Sequence, residues 1–354
     1  MIKKNFWKNK KVLITGHTGF KGGWLTVWMN ILGAKVSGYS INPIPKKNFF
    51  KSTGLKNKIV NDYRKNIQDY KSLNECIKKI KPEIIFHLAA QPQVLESYNK
   101  PYDTILTNVI GTSNILEIAK NNKFIKSIVI ITTDKVYQNN EKKIRFSEYD
   151  HLGGDDIYSS SKASADLLSL SYYKSFFKKL NCGIATVRAG NCIGGGDWTK
   201  FRILTDAADS FLKDKNLKIR SPNSRRPWQH VMEPLMGYII VAQKVFGNKT
   251  SEYCTAWNFG PGRKTHLRVI DFAKLFRLKM RSNSKLIINK NRDLREKKNL
   301  DLDSKKSKTK LKWKPVMTID QTLAFTADWY LAYKHKEDMY QFTINQIRKF
   351  MKLV

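Results

Sequence analysis

The sequence predicts an α/β fold in which a doubly wound parallel sheet carries helices on both faces. Short apolar runs alternate with segments of helical spacing through residues 1–190, and this alternation is typical of parallel strands joined by helical crossovers. A glycine-rich turn directly follows the first apolar run, Lys11–Thr15. From Gly194 onward the segments are shorter and more often broken by Gly, Pro and Asn, which indicates a smaller second lobe.

The predicted elements follow in chain order from the spacing of the apolar residues. Strands are predicted at Lys11–Thr15, Lys35–Tyr39, Glu83–Leu88, Ser127–Thr132 and Cys182–Arg188. Helices are predicted at Trp24–Leu32, Leu73–Ile80, Asn108–Lys120 and Tyr158–Lys179. Residues 1–190 are the predicted sheet domain and 191–354 mainly the second lobe, with segments near 225–260 returning to the core, Tyr238–Phe246 among them as a helix. Lys285–Ser307 is expected to form surface loops around one strand.

Length and composition exclude several classes of protein. With 354 residues, 41% of them hydrophobic, the chain is long enough for two lobes with a packed core. No apolar run approaches the ~20 residues of a membrane-spanning helix, and the basic N-terminus lacks the apolar core of a secretory signal. The four cysteines form no C-x-x-C pair and the six histidines no H-x-x-x-H pair. A reduced cytoplasm, no disulfide framework and no metal site are therefore expected.

The charge balance is strongly basic, with 65 Lys and Arg against 29 Asp and Glu and a formal net charge of +36. Such an excess fits a nucleic-acid-binding face. It fits a general composition bias as well, because the lysines are spread along the whole chain among many asparagines and isoleucines. A scattered excess is weaker evidence than a clustered one, so no nucleic-acid partner is expected. A positive field would still draw an anionic small substrate to its cleft.

The turn after the first strand has the form of a dinucleotide-phosphate site. Gly16, Gly19 and Gly22 form G-x-x-G-x-x-G between a strand and a helix. Glycines let the backbone approach a pyrophosphate, and a helix N-terminus presents free N–H groups; the alternative is a tight turn with no ligand. The strand–turn–helix context favours dinucleotide binding in a Rossmann-like domain. Neither an acid nor an arginine follows the second strand at residues 40–42, so NAD is favoured over NADP although the usual ribose-binding acid is missing.

Two short segments carry candidate catalytic side chains. Tyr158 and Lys162 lie four residues apart on one helical face, where the ammonium would lower the tyrosine pKa so that the phenol takes a proton from a sugar hydroxyl. Thr133, Asp134 and Lys135 follow the fourth predicted strand, at the edge where open α/β sheets bind ligands. Thr133 would bond a substrate hydroxyl and Asp134 would protonate a leaving hydroxyl. Lys135 would take a proton from carbon, which requires burial or neighbouring cations. The alternatives are a packed tyrosine beside a solvated lysine and a solvated Asp-Lys turn.

Longer motifs carry a resemblance to a known family. They include GHTGFKGGWL (16–25), HLAAQPQV (87–94), TNVIGT (107–112), TTDKVY (132–137), VRAGNCIGGGDW (187–198), RPWQHVMEPLMGY (226–238) and LDLDSKKSKTKLKWKP (300–315). Over nearly the whole chain, the sequence resembles the extended short-chain dehydrogenase/reductase superfamily and, within it, the CDP-glucose 4,6-dehydratase family.

The resemblance implies a redox-neutral dehydration of a nucleotide sugar, with CDP-glucose as the expected substrate. Tyr158 is then expected to take the proton of the 4-hydroxyl while hydride passes from carbon 4 to NAD. Lys135 would remove the proton on carbon 5 while Asp134 assists loss of the 6-hydroxyl as water, after which hydride returns to carbon 6. The implied product is CDP-4-keto-6-deoxy-D-glucose, and NAD stays bound throughout.

The resemblance also implies positions for the two ligands. The implied cofactor-binding residues are Gly16, Thr18, Gly19, Phe20, Gly22, Asn66, Ile67, Leu88, Ala89, Ala90, Asn108, Tyr158 and Lys162. The implied substrate-binding residues are Gln91, Thr133, Asn191, Arg226 and His230, and no metal is implied. The chain departs from the family's usual residues at Gly23, Asn66, Gln68, Thr133 and Ile157. Asn66 and Gln68 replace Asp and Arg on the adenine side, and a plain surface-loop role for Asn66 stays an alternative.

Assembly and function each have a further interpretation. The segment Tyr158–Lys179 is apolar around most of its circumference, which predicts burial against both the sheet and a partner helix, and so a homodimer.

One alternative function is another nucleotide-sugar enzyme of the superfamily, a UDP-, dTDP- or GDP-sugar 4,6-dehydratase or a 4-epimerase. The Asp134–Lys135 pair favours elimination over epimerisation. A second alternative is a basic NAD-binding scaffold that contacts nucleic acid without catalysis, against which the complete catalytic set argues.

Overall fold

Strands and helices alternate along the chain in the computed structural model, which describes residues 2–139, 145–200, 202–248, 251–262, 265–288 and 300–354. The strands are β1 Lys11–Thr15, β2 Lys35–Ser40, β3 Asn61–Arg64, β4 Ile84–His87, β5 Ser127–Ile131, β6 Arg145–Phe146, β7 Gly183–Ala189, β8 Cys192–Ile193, β9 Leu217–Ile219, β10 Arg225–Pro227, β11 Gln229–His230, β12 Ala256–Phe259, β13 His266–Arg268, β14 Leu286–Ile288 and β15 Asp301–Leu302. The α-helices are α1 Lys4–Trp7, α2 Phe20–Ile31, α3 Phe49–Ser52, α4 Tyr70–Ile80, α5 Val94–Asn99, α6 Pro101–Ile105, α7 Gly111–Lys120, α8 Ile157–Ser175, α9 Ile203–Leu212, α10 Met232–Lys244, α11 Val269–Lys279, α12 Lys305–Lys310, α13 Ile319–Lys334 and α14 Met339–Met351.

Seven of these strands form one parallel sheet in the order β12-β7-β5-β4-β1-β2-β3. Val12 of β1, for example, pairs with Val36 of β2 on one side and with Ile84 of β4 on the other. Every residue of β4, β5 and β7 is buried, as is typical of a parallel sheet with both faces covered by helices. The predicted α/β class with a doubly wound parallel sheet is confirmed.

The predicted strands lie within one residue of the observed bounds, whereas three helices begin three or more residues earlier than predicted, α4 among them at Tyr70 instead of Leu73. Helix α2 begins at Phe20 instead of Trp24, because Gly22 and Gly23 interrupt the apolar spacing although the backbone is already helical there. Helix α10 begins at Met232 instead of Tyr238. Its Pro234 lies in the first turn, where the missing N–H removes no helical hydrogen bond.

The two edge strands of the sheet have no predicted counterpart. Strand β3 has the sequence NDYR, and each of its residues is half-buried, so it shows no apolar run. Strand β12 is short and lies in the region near 225–260 that was expected to return to the core; it pairs with β7. In the stretch Lys285–Ser307, the structure has two short strands, β14 and β15, where one was expected, and residues 289–299 lie outside the described residues.

The sheet order reverses at β1 and β4, and open α/β sheets bind ligands in the crevice at such a switch point. Gly16, at the carboxyl end of β1, has a φ of +73°. A Cβ on Gly16 would lie 2.7 Å from the backbone nitrogen of Ala89, just after β4. The ends of the two strands therefore touch at a point that only a glycine fits.

The C-terminal segment is anchored to helix α10 through Glu233. This side chain is buried, and its Oε1 accepts hydrogen bonds from the backbone N–H groups of Val316 at 2.9 Å and Met317 at 2.7 Å. The indole of Trp313 donates to the Glu233 carbonyl at 2.9 Å. Burial raises the pKa of Glu233 to about 7, against the opposing effect of the two backbone hydrogen bonds.

We expect the Glu233→Gln variant to lose part of the pH dependence of stability. Because the folded-state pKa of Glu233 lies above its ordinary 4.5, the folded wild type binds more protons than the unfolded chain between these two values. Its free energy of unfolding therefore falls as the pH rises through that window. The variant should gain about 3 kcal/mol relative to wild type between pH ~4.5 and ~8. Urea unfolding at both pH values measures the free energy of unfolding of the two proteins. If the difference between variant and wild type were the same at both pH values, the raised pKa of Glu233 would be contradicted.

Candidate active site

Three glycines shape the turn between β1 and α2. Gly19 is the N-cap of α2 and provides no side-chain cap, and the first turn of the helix contains no acid. A Cβ on Gly22 would collide with the Gly16 carbonyl. The first N–H groups of α2 have no partner within the helix, so this turn fits a phosphate group closely. Phe20, the first helical residue, is half-buried beside it.

Residues 88–90 line the crevice next to this turn and are half-buried. The N–H of Ala89 donates to Thr15 Oγ1 at 3.2 Å. Below it, the His87 ring lies between two hydroxyls, with Nδ1 2.8 Å from Thr15 Oγ1 and Nε2 3.1 Å from Thr112 Oγ1. Burial, with a smaller effect of the Lys162 charge, lowers the pKa of His87 to about 3. The floor of the crevice is therefore uncharged and fixed by hydrogen bonds.

Asn108 joins the segment after β4 to helix α8. It lies in a π-helical turn, Leu106–Ile110, and is buried. Its Oδ1 accepts from the Gln91 N–H at 2.8 Å, and its Nδ2 donates to Ser161 Oγ at 2.9 Å. The Gln91 amide itself donates to Thr104 Oγ1 at 3.0 Å. Gln91 is thus bound within its own loop, and its contact with cofactor or sugar stays a prediction.

On the predicted adenine side, Asn66 is exposed and Ile67 is buried. Asn66 Oδ1 accepts from the Gln68 N–H at 3.1 Å. Thr18 Oγ1 lies 2.8 Å from Ser40 Oγ, so the phosphate turn is tied to the end of β2. The contact of Thr18, Asn66 and Ile67 with the cofactor stays a prediction.

An acid that the sequence pattern did not reveal lies beside the second strand. Asp62 of β3 is in register with Gly38 of β2. Its Oδ1 lies 2.8 Å from His17 Nε2, and its Oδ2 lies 2.8 Å from Arg64 Nη2. His17 is fully buried against Gly38, where a Cβ would collide with the imidazole. The usual sequence signal is an acid at the end of β2 itself, whereas here only the strand register brings Asp62 to this edge.

The carboxyl end of β5 and the start of α8 bring the five predicted catalytic residues together. Thr133 Oγ1 lies 3.0 Å from Asp134 Oδ1 and also hydrogen-bonds Tyr158. Lys162 donates from Nζ to the carbonyl of Ile131 at 2.7 Å. Lys135 lies within electrostatic range of Asp134. These side chains can therefore act on one small ligand.

Burial controls the protonation of this cluster. Burial raises the pKa of Tyr158, and the Thr133 hydrogen bond and nearby cations oppose this only in part. The prediction that an ammonium brings the Tyr158 pKa below its ordinary value is therefore wrong for this structure. Burial also raises the pKa of Asp134, against the Lys135 charge and the Thr133 hydrogen bond, and it lowers the pKa of Lys162 to about 8. A carboxyl with a raised pKa suits proton donation.

A buried ion pair supports the cluster from behind. Asp166 of α8 is fully buried and binds Arg188 of β7 through two hydrogen bonds of 2.9 and 2.8 Å. Asp166 also accepts from Thr132 Oγ1 at 2.9 Å, next to the predicted catalytic residue Thr133. Arg188 donates to the Tyr137 hydroxyl at 2.8 Å. No sequence motif indicates this pairing, which depends on α8 and β7 packing side by side.

The predicted substrate-binding residues differ in their exposure to solvent. Asn191 is exposed and Arg226 of β10 is half-buried, so both are accessible. His230 is fully buried, and its ring packs edge-on against Trp24 at 5.6 Å. Burial lowers the pKa of His230 to about 3. The structure does not bring His230 to the crevice surface, and substrate contacts of the other two stay predictions.

Comparison with known proteins shows the family of the chain. A profile of the GDP-mannose 4,6 dehydratase family matches residues 13–326. The chain belongs to this family. It is 40% identical over 358 residues to the CDP-glucose 4,6-dehydratase of Salmonella typhimurium, covering 99% of both chains. The family predicted from the sequence motifs is thus confirmed.

Solved structures of lower identity share the fold. The UDP-glucose 4-epimerase of Thermotoga maritima superposes with a TM-score of 0.79 at 20% identity, over 90% of this chain and 98% of that one. The dTDP-glucose 4,6-dehydratase of Bacillus anthracis, solved in complex with NAD, superposes with a TM-score of 0.75 at 23% identity, over 93% and 99%. Within the described ranges, no helix is long and apolar enough to span a membrane and no group of three or more His, Cys, Asp or Glu could hold a metal ion.

Proposed function

We propose that this chain is an NAD-dependent CDP-glucose 4,6-dehydratase that converts CDP-D-glucose to CDP-4-keto-6-deoxy-D-glucose and water. The observation that carries the proposal is the cluster of Tyr158, Thr133, Asp134 and Lys135 at the switch-point crevice, beside a glycine turn shaped for a diphosphate. The preference for a cytidine nucleotide is supported by the Salmonella relative of that name, which matches the chain over nearly its full length.

The residues present fit NAD. The turn at Gly16, Gly19 and Gly22 would hold the pyrophosphate, because side chains there would fill the space a phosphate needs. Residues 88–90 and Asn108 would hold the rest of the cofactor along the crevice. When bound, NAD supplies a reversible hydride acceptor for carbon 4 of the sugar.

Tyr158 takes the proton of the 4-hydroxyl in the first step. Thr133 orients the hydroxyl and shares a hydrogen bond with Tyr158. Lys162 is held by the Ile131 carbonyl, one turn along α8 on the same face as Tyr158. Burial of this cluster excludes water, which protects the keto sugar until the elimination is complete.

Asp134 and Lys135 carry out the elimination. Asp134, with its raised pKa, donates a proton to the departing 6-hydroxyl, which leaves as water. Lys135 takes the proton from carbon 5, which the 4-keto group has made acidic, and returns a proton to carbon 5 as the hydride removed from carbon 4 is delivered to carbon 6. The two side chains belong to one short turn after β5, so acid and base act on neighbouring carbons.

The proposed reaction is tested by a product assay. Purified protein with NAD and CDP-glucose should yield a product lighter by one water in mass spectrometry. UDP-, dTDP- and GDP-glucose, run in parallel, distinguish the related dehydratases, and an epimerised product of unchanged mass would favour a 4-epimerase. A protein that changes none of these sugars would overturn the proposal.

We also place the enzyme in the cytoplasm as a homodimer. Helix α8 buries Tyr173 and Ala163 against the protein, yet Leu167 on the same helix is 54% exposed. Ile105 and Ile110, on the π-helical turn and its flank beside α8, are also exposed. These side chains supply the outward apolar face that the sequence predicts for a partner helix.

We expect Leu167→Glu to shift the assembly toward monomer while the wild type elutes as a dimer. A buried charge in the interface would remain unpaired, which costs several kcal/mol of association free energy. Light scattering coupled to size exclusion at micromolar concentration measures the mass. Lys308→Glu, an exposed change on α12 and so away from α8, is the charge control. A monomeric wild type would contradict the dimer.

A further inference from the structure

The backbone of Tyr158 is held from both sides by serine hydroxyls. Tyr158 is the second residue of α8, so its N–H has no acceptor within the helix, and Ser97 Oγ of α5 accepts from it at 3.3 Å. On the other side of the residue, Ser161 Oγ donates to the Tyr158 carbonyl at 2.8 Å. Ser97 is 0% exposed and Ser161 is 3% exposed, so water does not compete for either bond.

Both serines are joined to segment 91–94, which follows β4. Ser97 Oγ donates to the carbonyl of Val94 at 2.7 Å, and Ser161 Oγ accepts from Asn108 Nδ2 at 2.9 Å. Asn108 in turn bonds the backbone of Gln91, accepting from its N–H at 2.8 Å and donating to its carbonyl at 3.2 Å. These bonds close one hydrogen-bond ring, which comprises segment 91–94, Ser97, Tyr158, Ser161 and Asn108.

The hydrogen-bond ring uses most of the polar capacity of its side chains. Each serine hydroxyl donates once and accepts once, and the Asn108 amide uses both of its N–H groups. Asn108 is 1% exposed. Loss of one hydroxyl would leave a buried donor without an acceptor, which is costly, so its neighbours would move to find new partners. The ring therefore fixes the backbone of Tyr158 to the segment after β4, at the edge of the crevice.

We propose that Ser97 and Ser161 are positioning residues that hold Tyr158 where it takes the 4-hydroxyl proton. The inference rests on the proposed function. In that step the O–H bond of the 4-hydroxyl breaks, its proton bonds to the Tyr158 phenolate oxygen, and hydride leaves carbon 4 for the bound NAD. Both serines keep their own protons throughout.

The first hydride transfer depends on this ring more than the elimination does. Reacting atoms must lie about 3–3.5 Å apart, and a misplacement of about 1 Å costs about 10²-fold in rate. Asp134 and Lys135 belong to the turn after β5, outside the ring. A loosened ring should therefore slow hydride transfer and leave the loss of water fast.

The test compares Ser161→Ala and Ser97→Ala with Ser169→Ala. Ser169 also lies on α8 and is 0% exposed, but its hydroxyl donates to the Ala165 carbonyl of the same helix, so Ser169→Ala removes a buried helix bond away from Tyr158. Turnover of CDP-glucose is measured at saturating NAD on each folded variant. Both ring variants should lower kcat by about 10- to 100-fold and change KM by less than about threefold, whereas Ser169→Ala should match the wild type.

Two further measurements separate positioning from a general loosening of the site. Ser161→Thr should restore most of the kcat, because the hydroxyl of a helical threonine can bond the carbonyl three residues back. The absorbance of bound NADH during turnover should not exceed the wild-type level in Ser161→Ala or Ser97→Ala. A raised level would show that water loss has slowed instead, and it would overturn the inference.

The outcomes also distinguish this inference from the proposed function. An active wild type whose Ser161→Ala and Ser97→Ala variants are as fast as Ser169→Ala would overturn the inference alone. If one ring variant fails to fold, the other tests the same ring from a different helix. A wild type inactive on every nucleotide glucose would overturn the proposed function and this inference with it.

Discussion

The Asp134→Asn enzyme is expected to stop after the first hydride transfer and to accumulate NADH. The amide keeps the size of the carboxyl and its position beside Thr133 Oγ1, but its N–H protons are far too weakly acidic to protonate the departing 6-hydroxyl. General acid catalysis contributes about 10²- to 10⁴-fold, so turnover should fall by about that factor. Proton removal from the 4-hydroxyl by Tyr158 does not use Asp134 and should be slowed far less.

The absorbance of NADH distinguishes the two half-reactions. In the wild type it should stay low, because each hydride returns to the same sugar. In Asp134→Asn and Lys135→Ala it should rise toward one equivalent per active site as water loss becomes limiting. Tyr158→Phe is the matched control, since it blocks the first step and should give no NADH at all. Unchanged turnover in both Asp134→Asn and Lys135→Ala would refute their assigned roles.

The local parts of the site could be predicted from the sequence because each lies within one short segment. The glycine turn and the Tyr158–Lys162 pair are set by spacing along a strand–helix junction and along a helix. The sequence shows which residues follow each predicted strand. Because the strands are parallel, these positions meet at one edge of the sheet. For the same reason the central strands, which are fully buried apolar runs, were predicted to within one residue.

The parts that could not be predicted depend on contacts between distant segments. Asp62 reaches His17 only through the register of β2 and β3, and β3 itself has no apolar pattern because it is a half-buried edge. Burial also overrode the local expectation for Tyr158, since the cost of placing a phenolate in the interior exceeds the help of nearby cations.

The Arg188→Met variant is expected to lose about 3–5 kcal/mol of unfolding free energy. Both Arg188 and Asp166 are almost completely buried, so removing the guanidinium leaves the Asp166 carboxylate without its ion partner. The remaining donors, Thr132 Oγ1 and Thr186 Oγ1, are neutral and cannot replace it. The same change should also slow catalysis. Thr132 donates to Asp166 and is adjacent to Thr133, so a shift of the Asp166 carboxylate would displace Thr133 as well.

Urea unfolding of a double-mutant cycle measures this pair. Asp166→Asn combined with Arg188→Met removes both charges, and the double variant should be more stable than Arg188→Met alone, since no charge then stays buried without a partner. Arg268→Met is the matched control: Arg268 pairs with Asp271 at 2.7 Å on the surface, where a bridge contributes less than about 1 kcal/mol. Equal losses in Arg188→Met and Arg268→Met would contradict the view that burial, rather than pairing itself, makes the ion pair behind the site costly to break.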